Sequence, residues 1–268
     1  MSAADPPLTK IPTADYTALQ EELLNRMPHA EFALGLVALT ASGRLDVVSA
    51  AYADAWPKPS VVVIIERPDD AHIVVMTDED AAKDRAAEAM DYLLRAEIIE
   101  ARHLLSACLR SVIPAATRGR RGEAFACRKW VFPRDRCGPS LDPPSLPAGY
   151  SGGELVASHA AVVDAHWPYR HEGSEDTIKN IIERLPTAAV FFGAEPVAWA
   201  LCEPYGGIGM MHTLADHRRR GLGAACIRLL LCRWPHLPPF SLWDPCAYVR
   251  EGNAASESLF AGCGFDAE

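Results

Sequence analysis

The stretch Gly209-Met210-Met211-His212-Thr213-Leu214-Ala215-Asp216-His217-Arg218-Arg219-Arg220-Gly221-Leu222-Gly223 decides how the second half of the chain is read. A strand is predicted over Gly207–Leu214, and the apolar period that follows predicts a helix over Gly221–Arg233. Between them lies Arg-x-x-Gly-x-Gly, with Arg218, Gly221 and Gly223 at its fixed positions. A helix N-terminus offers unpaired backbone N–H groups and the positive end of the dipole, and the two together bind phosphate. Glycine lets the backbone approach a pyrophosphate with no Cβ in the way. Arg218, Arg219 and Arg220 add positive charge, and each charge-assisted hydrogen bond to phosphate contributes roughly 1.5–3 kcal/mol. The dinucleotide fingerprint needs Gly-x-Gly-x-x-Gly and the P-loop needs Gly-Lys-Ser/Thr; neither pattern is here. An arginine-rich loop suits a ligand with several phosphates. The competing reading is a left-handed turn with a solvated basic face.

Outward from this loop, helices are predicted over Ser158–His166 and Asp176–Leu185, the latter with Ile178, Ile181, Ile182 and Leu185 on one face. Strands follow at Thr187–Phe192 and Val197–Glu203, joined by the turn Gly193-Ala194-Glu195-Pro196, and beyond the loop come a strand at Ala247–Arg250 and a helix at Ala254–Ala261. This order predicts an α/β domain over residues 150–268, a mixed sheet flanked by helices. Residues Arg134–Gly153, with Pro139, Pro143, Pro144 and Pro147, read as a linker. Residues 1–140 are then a first α/β domain. In it a helix is predicted at Thr17–Asn25 and strands at Glu31–Leu39, Ser60–Glu66 and His72–Met76. Thr77 is an N-cap candidate for a helix to about Arg95, with Ala82, Ala86, Ala89, Met90 and Leu93 on one face. A further helix at about Ile99–Val112 and a strand at Gly122–Phe132 complete it.

A chain of 268 residues suits two domains of about 130 each. Hydrophobic residues make up 49% and charged residues 23%, the balance of a soluble globular protein. The longest apolar runs, Ser60–Ile65 and Ala188–Phe192, have strand length, far short of the roughly 20 residues of a membrane helix. A net charge of −9 argues against non-specific nucleic-acid binding. Anion binding must therefore be local, at Arg118-Gly119-Arg120-Arg121 or at His217–Arg220. The first cluster reads as a solvated loop. The eight cysteines form no Cys-x-x-Cys pair, so no structural zinc and no metal is expected, and they read as reduced thiols. Met1–Ala18, with Asp5, Asp15 and only Lys10, lacks the arginines of a mitochondrial transit peptide, and the expected compartment is the cytoplasm.

The second half resembles the GNAT-type N-acetyltransferases, and more narrowly the glycine N-acyltransferase-like family. The resemblance is carried by Ser158-His159-Ala160, Trp167-Pro168-Tyr169, Leu185-Pro186, Pro196-Val197-Ala198-Trp199, the strand Gly209–Leu214 with its loop, Ala247-Tyr248-Val249 and Gly252-Asn253. In the first half, Ala53-Asp54-Ala55-Trp56-Pro57 followed by Val61–Ile65 resembles that family's N-terminal domain, a degenerate relative of the second. The resemblance implies transfer of an acyl group from acyl-CoA to glycine or another small amine, with no metal. It implies a strand edge at His212, Thr213 and Leu214 for the pantetheine arm. It implies a pyrophosphate site at Arg218, Arg219, Arg220, Gly221, Leu222 and Gly223, and Asn253 near the pantetheine. Relatives also make a mitochondrial compartment possible. The first domain has no such loop and could shape the acceptor pocket.

Two family features are missing. Where vertebrate-type members have a catalytic glutamate, this chain has Gly207. The nearest candidate bases are Glu203 and His212, read alternatively as an exposed hairpin residue and a hydrogen-bonded strand histidine. Where many acetyltransferases have a tyrosine acid, this chain has Phe260, with Tyr248 the nearest substitute. The segment Phe240–Cys246 looks inserted, and the chain stops three residues after Phe265, where the fold usually continues into a last strand. Its edge is then filled by another segment or is left open. Two alternatives stand beside the small-molecule N-acyltransferase: a pseudoenzyme that binds acyl-CoA without turnover, and a protein lysine acetyltransferase. Acyl-chain length, acceptor and oligomeric state are not legible.

Overall fold

The computed structural model describes residues 7–27, 30–66, 70–75, 80–95, 105–107 and 127–268. The chain divides into two compact units, Met1–Ala124 and Phe125–Glu268.

The first unit holds a five-stranded sheet, β1 (Thr9–Ile11), β2 (Val48–Ala53), β3 (Val61–Glu66), β4 (Asp70–Val75) and β5 (Leu105–Ala107), in sequential order. The first three pairings are antiparallel and β4–β5 is parallel. Val61–Ile64 of β3 are fully buried, as a central strand covered on both faces requires. Helices α1 (Tyr16–Asn25) and α2 (Glu31–Ala41) pack on each other, and Leu19, Leu23, Leu34 and Val37 are among their buried residues. The strand expected at Glu31–Leu39 is thus a helix. Its uniformly apolar run carries no period because every residue from Ala33 to Leu39 is buried, and its Ala and Leu content suits a helix. Helix α3 (Asp80–Arg95) buries Ala86, Ala89 and Leu93, three residues of the expected face. The helix expected at Ile99–Val112 contains strand β5 instead; the rest of it, with Thr77, Arg118–Arg121 and residues 122–126, lies outside the described residues. Asp54 organises the turn before β3: its Oδ1 accepts from the N–H groups of Ala55, Ser60 and Val61, at 3.0, 2.8 and 2.9 Å.

The second unit contains two sheets. One has the order β10-β9-β8-β7, from β7 (Tyr150–Gly153), β8 (Thr187–Phe192), β9 (Glu195–Cys202) and β10 (Ile208–Thr213). The other has the order β11-β6-β12, from β6 (Cys127–Val131), β11 (Cys246–Arg250) and β12 (Asp266–Ala267). All the pairings are antiparallel. This corrects the expected single mixed sheet: β10 and β11 are neighbours in space but do not pair. Helices α4 (Ala160–Ala165), α5 (Ser174–Arg184), α6 (Leu222–Arg233) and α7 (Ala254–Gly262) complete the unit.

Of the two alternatives for the edge near the C-terminus, the structure shows the filled one, and an upstream segment fills it. Strand β6 pairs with β11 on one side and β12 on the other, and Glu268 N–H donates to Lys129 O at 2.9 Å. Phe265 is buried against Phe132 and Phe260. The segment Phe240–Cys246 is an apolar plug: Phe240, Trp243 and Cys246 are buried, and Trp243 Nε1 donates to Gly206 O at 2.9 Å. The Pro-rich stretch belongs to this unit, with Cys137 buried and Gly138 N–H donating to Leu231 O. Among the described residues, no helix is long and apolar enough to cross a membrane and no group of side chains could hold a metal ion.

Candidate active site

Strand β10 begins in regular pairing with β9, Ile208 opposite Cys202 and Gly209 opposite Leu201. Between Gly209 and His212 the register slips by one residue, where Met210 takes a φ of 46°. After this bulge His212 faces Trp199, and Leu214 N–H still donates to Val197 O at 2.9 Å. One edge of β10 is therefore committed to β9, while its other edge faces β11 without a ladder. The two strands come close at their starts, since a Cβ built on Gly207 would lie 3.2 Å from Cys246 O.

Past Leu214 a short turn, Ala215–His217, leads to the arginines. Two interactions hold it: Tyr150 Oη and His217 Nδ1 share a hydrogen bond of 2.8 Å, and Arg218 Nε donates to Thr213 O at 3.0 Å. Arg219 has a φ of 62° and Gly221 a φ of 76°, so the backbone turns left-handed twice within three residues. Gly221 is the N-cap of α6 and no side chain caps that end. The first intrahelical bond there runs from Ala225 N–H to Gly221 O, which leaves the preceding amides outside the helix ladder. Arg218, Arg219 and Arg220 are all exposed. The buried residues of α6, among them Leu222, Cys226, Ile227 and Leu230, fix its direction. A methyl at Gly223 would make an ordinary contact, 3.4 Å from Leu259 Cδ2. The protein's own packing does not demand glycine there. This assembly of oriented N–H groups, positive dipole end and guanidinium groups is suited to a phosphate-bearing ligand.

His212 is half-buried and stacks on Trp199, ring centroids 5.4 Å apart at 29°. Sequence reading missed its other neighbour, His166, at the end of α4, whose ring centroid lies 4.7 Å away. Burial, then His166, then Arg218 hold the His212 imidazole below its ordinary pKa. Glu203 follows β9, and its carboxylate covers Gly209: a Cβ there would lie within 3.0 Å of three Glu203 atoms. Burial first, and then the Glu203 charge, push the Tyr205 phenol well above its usual range. Tyr205 and Tyr248 meet edge to face at 5.7 Å. A Cβ on Gly207 would meet Tyr205 Cε2 at 2.6 Å, so the space for a side chain at that position is taken. Phe260 is buried. Asn253 caps α7, its side chain accepting from Ser256 N–H at 3.2 Å. The structure thus brings His212, Thr213, Leu214 and the loop residues to one strand end, and gives Asn253 a capping role. An open cleft lined by Arg134, Asp135, Ser241 and Asp244 lies elsewhere, its Arg134 already bonded to Ser241 O and Leu242 O.

Residues 193–268 match the family model described as FR47-like protein. No curated protein sequence matches. A Drosophila protein solved by a structural genomics consortium is 18% identical, with 98% of this chain and 96% of that chain covered and a TM-score of 0.77. A tandem GNAT protein from the clavulanic acid biosynthesis pathway is 15% identical, with coverage of 97% and 94% and a TM-score of 0.58. A GCN5-related N-acetyltransferase-like protein from Streptococcus suis is 14% identical, with 96% of each chain covered and a TM-score of 0.55. The chain has the mixed α/β fold of GNAT-type proteins, with an FR47-like region at its C-terminal end.

Proposed function

We propose that this protein transfers an acyl group from acyl-CoA to the amino group of glycine or another small amine. The observation that carries this reading is the junction of β10 and α6. A strand with one unpaired edge runs into a twice left-handed, triple-arginine loop and an uncapped helix N-terminus. The unpaired edge at His212–Leu214 offers backbone groups to an amide-bearing arm such as pantetheine, and the loop offers N–H groups to its pyrophosphate. Gly223 supports this, because nothing inside the protein requires its missing side chain. The glycine N-acyltransferase-like resemblance supplies the acceptor class. Acyl-CoA supplies the thioester carbon that the amine attacks. This chain's residues bind and orient it, with a base beside β10 to receive the proton, for which His212 and Glu203 are the candidates read from the sequence.

The test is free-thiol release from acetyl-CoA and benzoyl-CoA, each with and without glycine, together with Arg219→Glu and Gly221→Asp. Glycine-dependent release that both variants abolish is expected. Release unaffected by them would overturn the loop assignment. A second reading, acyl-CoA binding without turnover, is favoured by Gly207, where Tyr205 occupies the space of a catalytic side chain, and by the buried Phe260. It predicts that coenzyme A raises the Tm while no amine triggers thiol release. Acetyl transfer to protein but not to small amines would instead favour a lysine acetyltransferase.

A further inference from the structure

We propose that His166 is a second catalytic residue, its Nε2 taking the proton from the acceptor amine beside the neutral imidazole of His212. This rests on the acyl-transfer reading above.

The first observation is a tautomer. His166 Nδ1 lies 2.8 Å from Val162 O. A carbonyl oxygen only accepts, so Nδ1 carries the hydrogen and the lone pair of the neutral ring is on Nε2. His166 is exposed at the end of α4, so this lone pair can meet a ligand arriving from solvent. The second observation is the contact with His212 at a centroid distance of 4.7 Å. Two imidazolium ions at that distance repel, and the charge of His166 is one of the causes that hold the His212 pKa down. Burial makes His212 the ring that stays neutral, and Arg218 acts in the same direction. His212 therefore stands neutral beside the exposed Nε2 that takes the one proton released when an amine becomes an amide. The third observation is Trp199, 1% exposed, which stacks under His212 and meets the edge of His166 at 5.8 Å, fixing both rings. Asp164, the carboxylate on the same helix, is occupied: one oxygen accepts from Ser174 Oγ and the other pairs with Arg170 Nε at 2.8 Å.

The step balances. The neutral amine attacks the thioester carbonyl and a C–N bond forms. The N–H proton passes to His166 Nε2, and the C–S bond breaks with its electron pair on sulfur. The imidazolium then returns the proton to the thiolate, leaving an amide and a free thiol.

His166→Asn keeps a donor for Val162 O and removes the Nε2 base. In the full chain we expect kcat/KM for the amine to fall roughly 10²–10⁴-fold, with the KM for acyl-CoA and the coenzyme A-induced rise in Tm unchanged. Free imidazole should restore part of the rate. His166→Gln, read by the same assays, covers a failure of the Asn variant to fold. Activity of either folded variant within twofold of wild type would overturn the role of His166 alone. So would loss of activity together with loss of coenzyme A binding and no imidazole rescue. A wild-type chain that binds coenzyme A but releases no thiol with any amine would overturn the acyl-transfer reading, and this one with it.

Discussion

Arg219 holds a left-handed backbone with a full side chain, a conformation that costs an L-residue about 1 kcal/mol and is tolerated where the surroundings dictate it. Arg219→Gly relieves that cost but frees the unfolded chain by a similar amount, roughly 0.4–1 kcal/mol. The Tm should move by no more than about 2 °C while coenzyme A binding, measured by titration, weakens. A large drop in Tm with binding intact would mean the arginine serves the fold. Gly207 behaves oppositely. Its missing side chain is required by Tyr205 and Cys246 O, so Gly207→Ala should destabilise by about 1–3 kcal/mol through overpacking, read from urea unfolding. A glutamate placed there should not create a working base. His212 adds a pH signature. Its folded pKa is depressed, so protonation favours the unfolded chain. Stability should be full above the unfolded value of about 6.5 and should fall as pH drops from there through the lower folded value. His212→Asn should flatten that part of a Tm-against-pH curve.

The hairpin of β9 and β10 shows where sequence was legible and where it was not. Both strands, the Gly-Ala-Glu-Pro turn that leads from β8 into β9 and helix α6 lie within a residue or two of their expected positions, because strand-length apolar runs, turn residues and a clear apolar face announce them. The pairing of His212 with Trp199 was not legible. Without the bulge at Met210, His212 would oppose Ala198 and point to the other face. The bulge leaves no mark in residue types, so the partnership with His166 was hidden with it. Tyr150 was hidden differently: four nearby prolines made its segment look like a linker, yet β7 pairs there and its phenol holds the loop through His217. The plug at 240–246 was visible only as an insertion. Trp243 is 2% exposed and seals Gly206, whose φ of 90° leaves no space for a side chain beneath the indole. Trp243→Ala should cost about 3–5 kcal/mol, measured by chemical denaturation, and should loosen the turn that carries Glu203 and Tyr205.

At the scale of the molecule, the chain divides into its two units between residues 124 and 125, and β6 decides what a viable fragment is. A chain starting at Phe125 keeps the central strand of the β11-β6-β12 sheet; one starting at Tyr150 loses it. The longer fragment should unfold in a single cooperative transition. The shorter one should leave the backbone of Cys246–Arg250 unpaired, and should aggregate or show no transition. Equal behaviour of the two fragments would mean that β6 is dispensable.

The same strand sets a timetable for synthesis. A ribosome emits Cys127–Val131 more than a hundred residues before the partners of both its ladders, Cys246–Arg250 and Asp266–Ala267. Until those partners emerge that segment is a strand without neighbours, the kind of exposed edge that chaperones cover, and closing such a sequence separation slows folding.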